Sequence, residues 1–176
     1  MKNRALLFLS AILLFAGISS QSPLFAQKTL PKDSLMKAAS DIISQNHYCS
    51  LVTVDSVGQP QIRTMNPFPN PKEFVVWFAT SRYSSKAREI RNNPKVAVYY
   101  ADHAKGNGYV TITGTATVID DKYLLMKMKR DYWNGISGWQ DIFVLIKVVP
   151  QKLEVINYVY GAVNDPKTFR APMVVF

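Results

Sequence analysis

The chain has 176 residues and a formal net charge of +9, from 21 Lys and Arg against 12 Asp and Glu. Its single cysteine excludes an intramolecular disulfide, and two histidines beside that thiol are too few for a metal-ligand cluster. The positive balance suits an anionic ligand, but apart from KMKR at 127–130 the basic residues are scattered, and no recognition helix or aromatic platform argues for nucleic acid.

Residues 1–26 begin with Lys2 and Arg4, run through the apolar ALLFLSAILLFAGI and end in small residues before Gln27. This pattern predicts a secretory signal peptide, cleaved after Ala26, and an exported, periplasmic product with no stable membrane span after cleavage. The remainder, 27–176, has the length of a single domain. After a tether ending at Pro31, Asp33 or Ser34 is placed to cap a helix running to about Asn46, with Leu35, Ala38, Ala39, Ile42 and Ile43 at helical spacing. The period then changes. YCSLVTVD (48–55) reads as a strand, SVGQP as a turn, QIRTMNPF (61–68) as a second strand, and PNPK as another turn. Cys49 falls on this alternating pattern as a buried strand thiol.

EFVVWFAT (73–80) is a third strand, and a two-turn helix follows at about 84–92, stopped by Asn92-Asn93-Pro94. KVAVYYA (95–101) and GYVTITGTATVI (108–119) are further strands. Asp120 and Asp121 open a helix reaching about Asp131, and YWNGISGWQD (132–141) reads as an aromatic loop. IFVLIKVVPQKLEVINYV (142–159) is expected to be a strand pair bent or broken at Pro150. Six or seven strands with short turns and three helices in no regular βα alternation predict a mostly antiparallel α+β barrel with peripheral helices.

Chemistry concentrates at SRYSSKAR, where Ser84, Ser85 and Lys86 stand at the start of a helix. Free amides and the positive dipole end make such a terminus favourable to anions and mildly unfavourable to a lysine. Ser84, Ser85, Lys86 and the amides together would cradle a phosphate, with Thr80 adding a hydroxyl and Arg63 able to face it bidentately. The alternative is that a serine simply caps the helix and Lys86 lies in solvent.

The ordered set Arg63, Phe78, Thr80, Ser84, Lys86, Ala87, Asn93 and Pro94, followed by the Gly114 strand, resembles the FMN-binding split-barrel family. This is the pyridoxamine 5'-phosphate oxidase-like group, and the likeness is greatest to its general stress protein branch, over about residues 34–157. The resemblance implies a split barrel, a homodimer with FMN at sites shared between subunits, and an oxidoreductase acting on an unknown small molecule. It implies Arg63, Lys86 and Ser84 or Ser85 on the FMN phosphate. The backbone of Thr64, Met65 and Asn66 and of Ala79 and Thr80 would line the flavin ring, with Tyr109 and Trp139 contributed by the partner subunit.

True oxidases of the group often carry Arg where Ser85 stands and Gln where Tyr109 stands, and their C-terminal signature is not recognisable in YGAVNDPKTFRAPMVVF. Vitamin B6 oxidation is therefore not expected, and no side chain is identified as catalytic. The alternative is a non-catalytic flavin- or haem-binding or stress protein on the same barrel, with His47 and His103 the available haem ligands.

Overall fold

The computed structural model describes residues 30–69, 72–101 and 104–176, so the expected signal peptide and His103 lie outside the described residues. The first helix, α1 (Lys32–Gln45), buries Leu35, Ala38, Ala39, Ile42 and Ile43, the stripe its spacing predicts. Neither Asp33 nor Ser34 caps it. Pro31, with its φ set at −55°, leads straight into the helix, and both polar residues already lie inside the first turn.

Strands β1 (Cys49–Val54) and β2 (Pro60–Met65) form a hairpin. Its turn is fixed by the Asp55 carboxylate, which accepts from the amides of Val57 at 3.0 Å and Gln59 at 2.9 Å. Strand β2 stops three residues before the expected end, because Pro67 and Pro69 have no amide to offer a ladder. Strand β3 spans Val76–Ser81 rather than 73–80. A 3₁₀ turn at Lys72–Phe74 precedes it, in which Glu73 and Phe74 take φ of 50° and 60°.

Next come α2 (Ser85–Asn92), β4 (Lys95–Ala101) and β5 (Gly108–Ile119). Helix α3 (Lys122–Lys127) is shorter than the expected 120–131, and the aromatic loop folds into a 3₁₀ turn at Asp131–Gly135 and a short helix α4 (Trp139–Ile142). The expected strand pair at 142–159 is one continuous strand, β6 (Phe143–Asn157). Pro150 does not break it because it lies opposite Gly114, where the β5–β6 register shifts and the ladder needs no donor. A Cβ on Gly114 would stand 2.1 Å from the Val149 carbonyl oxygen, so only glycine permits this approach. Strand β7 (Met173–Val175) closes the chain.

All seven strands join one antiparallel sheet in the order β2-β1-β4-β5-β6-β3, with β7 added to β6. Strand β6 serves two partners along one edge: Phe143–Val148 pairs with β3 and Lys152–Glu154 with β7. The sheet curls into a half-barrel whose two end strands, β2 and β3, approach each other. The Phe68 amide donates to the Trp77 carbonyl at 2.8 Å. Among the described residues no ladder continues beyond that bond, which leaves a seam between the two strands.

Helix α1 covers β4, β5, β6 and β7, while α2 packs on β1 and β5. The main core joins the α1 stripe to inward residues such as Leu51, Phe78, Val98, Tyr100 and Ile112. A second cluster gathers Leu125, Trp133, Trp139 and Leu145 under the aromatic loop, with Trp133 fully buried.

Candidate functional site

Helix α2 begins as its sequence dictates. The Ser84 hydroxyl accepts from the Ala87 amide at 3.3 Å, and the first helical bond runs from the Arg88 amide to the Ser84 carbonyl. The amides of Ser85 and Lys86 precede that bond and remain available to a ligand. The cap hydroxyl is itself tied to β3, since Thr80 Oγ1 donates to Ser84 Oγ at 3.2 Å and accepts from Lys86 Nζ at 3.1 Å. Strand end, cap and lysine therefore form one polar unit at the seam.

Arg63 reaches the same place from β2, but two of its nitrogens are engaged within the protein. Its Nη1 donates to Thr53 Oγ1 at 2.6 Å and its Nη2 to Glu89 Oε1 at 2.8 Å, while Thr53 Oγ1 donates to Glu89 Oε2 at 2.5 Å. Neither Thr53 nor Glu89 is among the residues that the sequence brings forward. The signal was present in both cases. Thr53 is a polar residue on the inward-facing side of β1, in line with Cys49 and Leu51, and Glu89 is the single carboxylate of α2, one turn beyond Lys86.

The electrostatics follow from this arrangement. Burial raises the Glu89 pKa, but hydrogen bonds from Thr53 and Arg63, with the guanidinium charge, outweigh it and hold the carboxyl below its ordinary 4.5. Burial first, and then the charge of Arg63, lower Lys86 from 10.5, with Glu89 opposing. Among the described residues no carboxylate lies within ion-pair distance of Lys86. The seam thus holds two cations, one internal counter-charge, the hydroxyls of Thr53, Thr80 and Ser84 and the open end of a helix. One positive charge is left uncompensated.

The other expected site residues divide. Thr64, Met65 and Asn66 form one lip of the seam and Ala79 and Thr80 the other; Thr64 is exposed, Met65 is buried, and Ser85 faces solvent. Tyr109 lies at the far end of β5, paired with Ala101, its ring 5.7 Å from that of Tyr99. Trp139 is 5% exposed and packs against Trp133 with ring centroids 5.2 Å apart. Nearly all its surface packs within its own chain, in the second cluster. Arg82, beside the cradle, is held bidentately by Asp120 at 2.7 and 3.0 Å and braces β3 against the end of β5. Among the described residues there is no group of His, Cys, Asp and Glu suited to a metal ion.

The family model described as pyridoxamine 5'-phosphate oxidase matches residues 35–159. The chain is 29% identical over 125 residues to general stress protein 26 of Bacillus subtilis, covering 66% of this chain and 84% of that protein. It is 29% identical over 136 residues to pyridoxine/pyridoxamine 5'-phosphate oxidase 2 of Hydrogenovibrio crunogenus, covering 59% of this chain and 63% of that one. The crystal structure of general stress protein 26 from Bacillus anthracis superposes with a TM-score of 0.58 at 27% identity, over 69% of this chain and 93% of that structure.

Proposed function

The chain belongs to the pyridoxamine 5'-phosphate oxidase family, and on that premise we propose that it is an FMN-binding oxidoreductase, with the FMN phosphate in the Arg63–Lys86 cradle. The observation that carries this reading is the uncompensated Lys86, held by Thr80 at the N-terminus of α2 where free amides converge. A doubly negative phosphate is the group that such a donor set fits. Bound FMN supplies the hydride and electron chemistry.

The residues of this chain bind and orient. Lys86 and the Ser85 and Lys86 amides meet the phosphate, while Thr80 and Ser84 fix the lysine and the cap. Glu89 and Thr53 hold the Arg63 guanidinium toward the seam, and the backbone lips Thr64–Asn66 and Ala79–Thr80 receive the ring. The substrate is a small molecule other than the B6 vitamers, since Ser85 and Tyr109 depart from the oxidase pattern. The reading also includes a homodimer that completes the site, and export to the periplasm. Supporting the dimer is a row of outward residues, Ile62, Val52 and Ala97, aligned across β2, β1 and β4, with Ile62 69% exposed.

The test is FMN titration of residues 27–176, followed by fluorescence and desalting. Retained flavin is expected, with Lys86→Ala and Arg63→Ala each weakening binding by about 10- to 150-fold, the equivalent of one charge-assisted contact. A protein that ignores FMN, or variants that bind it unchanged, would leave Ser84 as a helix cap and nothing more.

A further inference from the structure

The outer side of α2 and α3 carries a feature that the phosphate cradle does not use. Helix α3 presents Tyr123, 80% exposed, and Met126, 52% exposed, with Lys127 beside them at the spacing of one helical face. Tyr83, in the turn leading into α2, is also 80% exposed. A protein surface tolerates such residues singly. Here a chain of contacts draws them together. The Arg82 amide donates to the Ile142 carbonyl at 2.8 Å, and its guanidinium grips Asp120 just after β5. Lys122 of α3 pairs with Asp141 of α4 at 2.8 Å, and Arg91 of α2 donates to the Arg82 carbonyl at 3.4 Å. The turn before α2, the outer side of α2, α3 and α4 therefore share one continuous surface.

The charge on that surface is one-sided. Asp120 and Asp141 are taken by Arg82 and Lys122, and Asp121 is turned to the Leu124 amide as the cap of α3. Arg88, Arg91 and Lys127 stand exposed, and among the described residues no carboxylate lies within ion-pair distance of any of them. Helix α2 covers the inward side of β1, where Glu89 meets Thr53, so this surface lies across the sheet from the outward row of Ile62, Val52 and Ala97.

We propose that the surface docks on the headgroup layer of an anionic bilayer, with Tyr83, Tyr123 and Met126 entering the interface and Arg88, Arg91 and Lys127 meeting lipid phosphates. A tyrosine joins an apolar ring to a polar tip and suits the boundary between headgroups and acyl chains. The unbranched methionine adapts to the same layer. Unpaired cations gather on anionic lipid, and each contributes about fivefold to binding. An acidic protein would meet the cations equally well, but it supplies no apolar layer for the projecting rings. Helix α3 is only six residues long, so the docking is shallow and reversible.

Co-sedimentation of residues 27–176 with lipid vesicles tests the proposal, in a chain from which the apolar segment of residues 1–26 is absent and cannot itself insert. Vesicles with equal parts phosphatidylglycerol and phosphatidylcholine should bind about tenfold or more tighter than phosphatidylcholine alone, and added salt should weaken that binding. Arg88→Glu combined with Lys127→Glu should lower it by about tenfold or more. Tyr123→Ser combined with Met126→Ser leaves the charge unchanged and should weaken binding at every salt concentration. All four side chains are exposed, and thermal melts check that both variants fold. Arg63→Ala, which removes flavin on the reading above, should bind vesicles unchanged, so the two readings fail separately. Absence of binding, equal binding to the neutral vesicles, or binding unchanged by the charge reversal overturns the proposal. So does displacement by poly-glutamate with the serine variant binding as the native protein does, which assigns the surface to an acidic macromolecule instead.

Discussion

Glu89 shows how one buried carboxylate can set the state of a cationic site. It compensates Arg63 and leaves Lys86 uncovered, which turns a cluster of opposite charges into a receptor for one more anion. Because its folded pKa lies below 4.5, the unfolded chain takes up the proton first on acidification. Its stabilising contribution is therefore complete above pH 4.5 and is lost as pH falls through the folded value. Denaturant unfolding across that range should show an acid loss in the native protein that is smaller in Glu89→Gln. At neutral pH the variant should be less stable by about 1–3 kcal/mol, since the amide keeps only one of the two acceptor oxygens and none of the charge that pairs with Arg63. Lys86 acts in the opposite sense. With its folded pKa below 10.5, its charge costs stability at neutral pH, and that cost fades as pH rises through the folded value. A bound anion favours the charged lysine and offsets the cost.

The longest strand depends on a missing Cβ at Gly114. Strand β6 can pass from β3 to β7 because β5 follows it over residues 145–157, and β5 can do so only with the bulge at Gly114 opposite Pro150. Gly114→Ala would bring a methyl to 2.1 Å from the Val149 carbonyl oxygen, a backbone atom that cannot swing away. The strands must separate locally, at a cost of about 1–3 kcal/mol or more. Thermal melting of that variant should show a clear drop, whereas alanine at Gly135, which has open space around it, should not. Helix α2 is tied at its start, by Ser84 to Thr80, and again midway, by Glu89 to Arg63 and Thr53. It is therefore fixed to both lips of the seam, and a phosphate received there would meet a rigid set of donors.

For the molecule as a whole, the half-barrel leaves a seam open between β2 and β3 and an apolar row on the outward face of β2, β1 and β4. A second copy packed on that face would cover Ile62, which is otherwise an exposed branched residue on an edge strand. Light scattering of residues 27–176 should give twice the mass of one such chain, and Ile62→Glu should shift it toward the monomer while the far-ultraviolet circular dichroism stays unchanged. A monomeric native protein would exclude the shared-site part of the reading. No described helix is long and apolar enough to cross a membrane.

The sequence by itself determined the period of most elements, and so the α1 stripe, most strands and a serine cap on α2, because these depend on neighbours within a turn or a strand pair. It also brought Lys86 and Arg63 forward, since a cation at a helix N-terminus and another within a strand are locally anomalous. Only the tertiary structure decided that Arg63 is shared with Thr53 and Glu89, residues 10 and 26 positions away from it. The same holds for Trp139, whose place in the second cluster is set by packing against Trp133 and its neighbours. Pro150, read locally as a break, survives in a continuous strand because a glycine 36 positions earlier absorbs the register shift. In each case the deciding contact is one that folding creates between distant segments, and local periodicity can mark a residue as unusual without naming its partner.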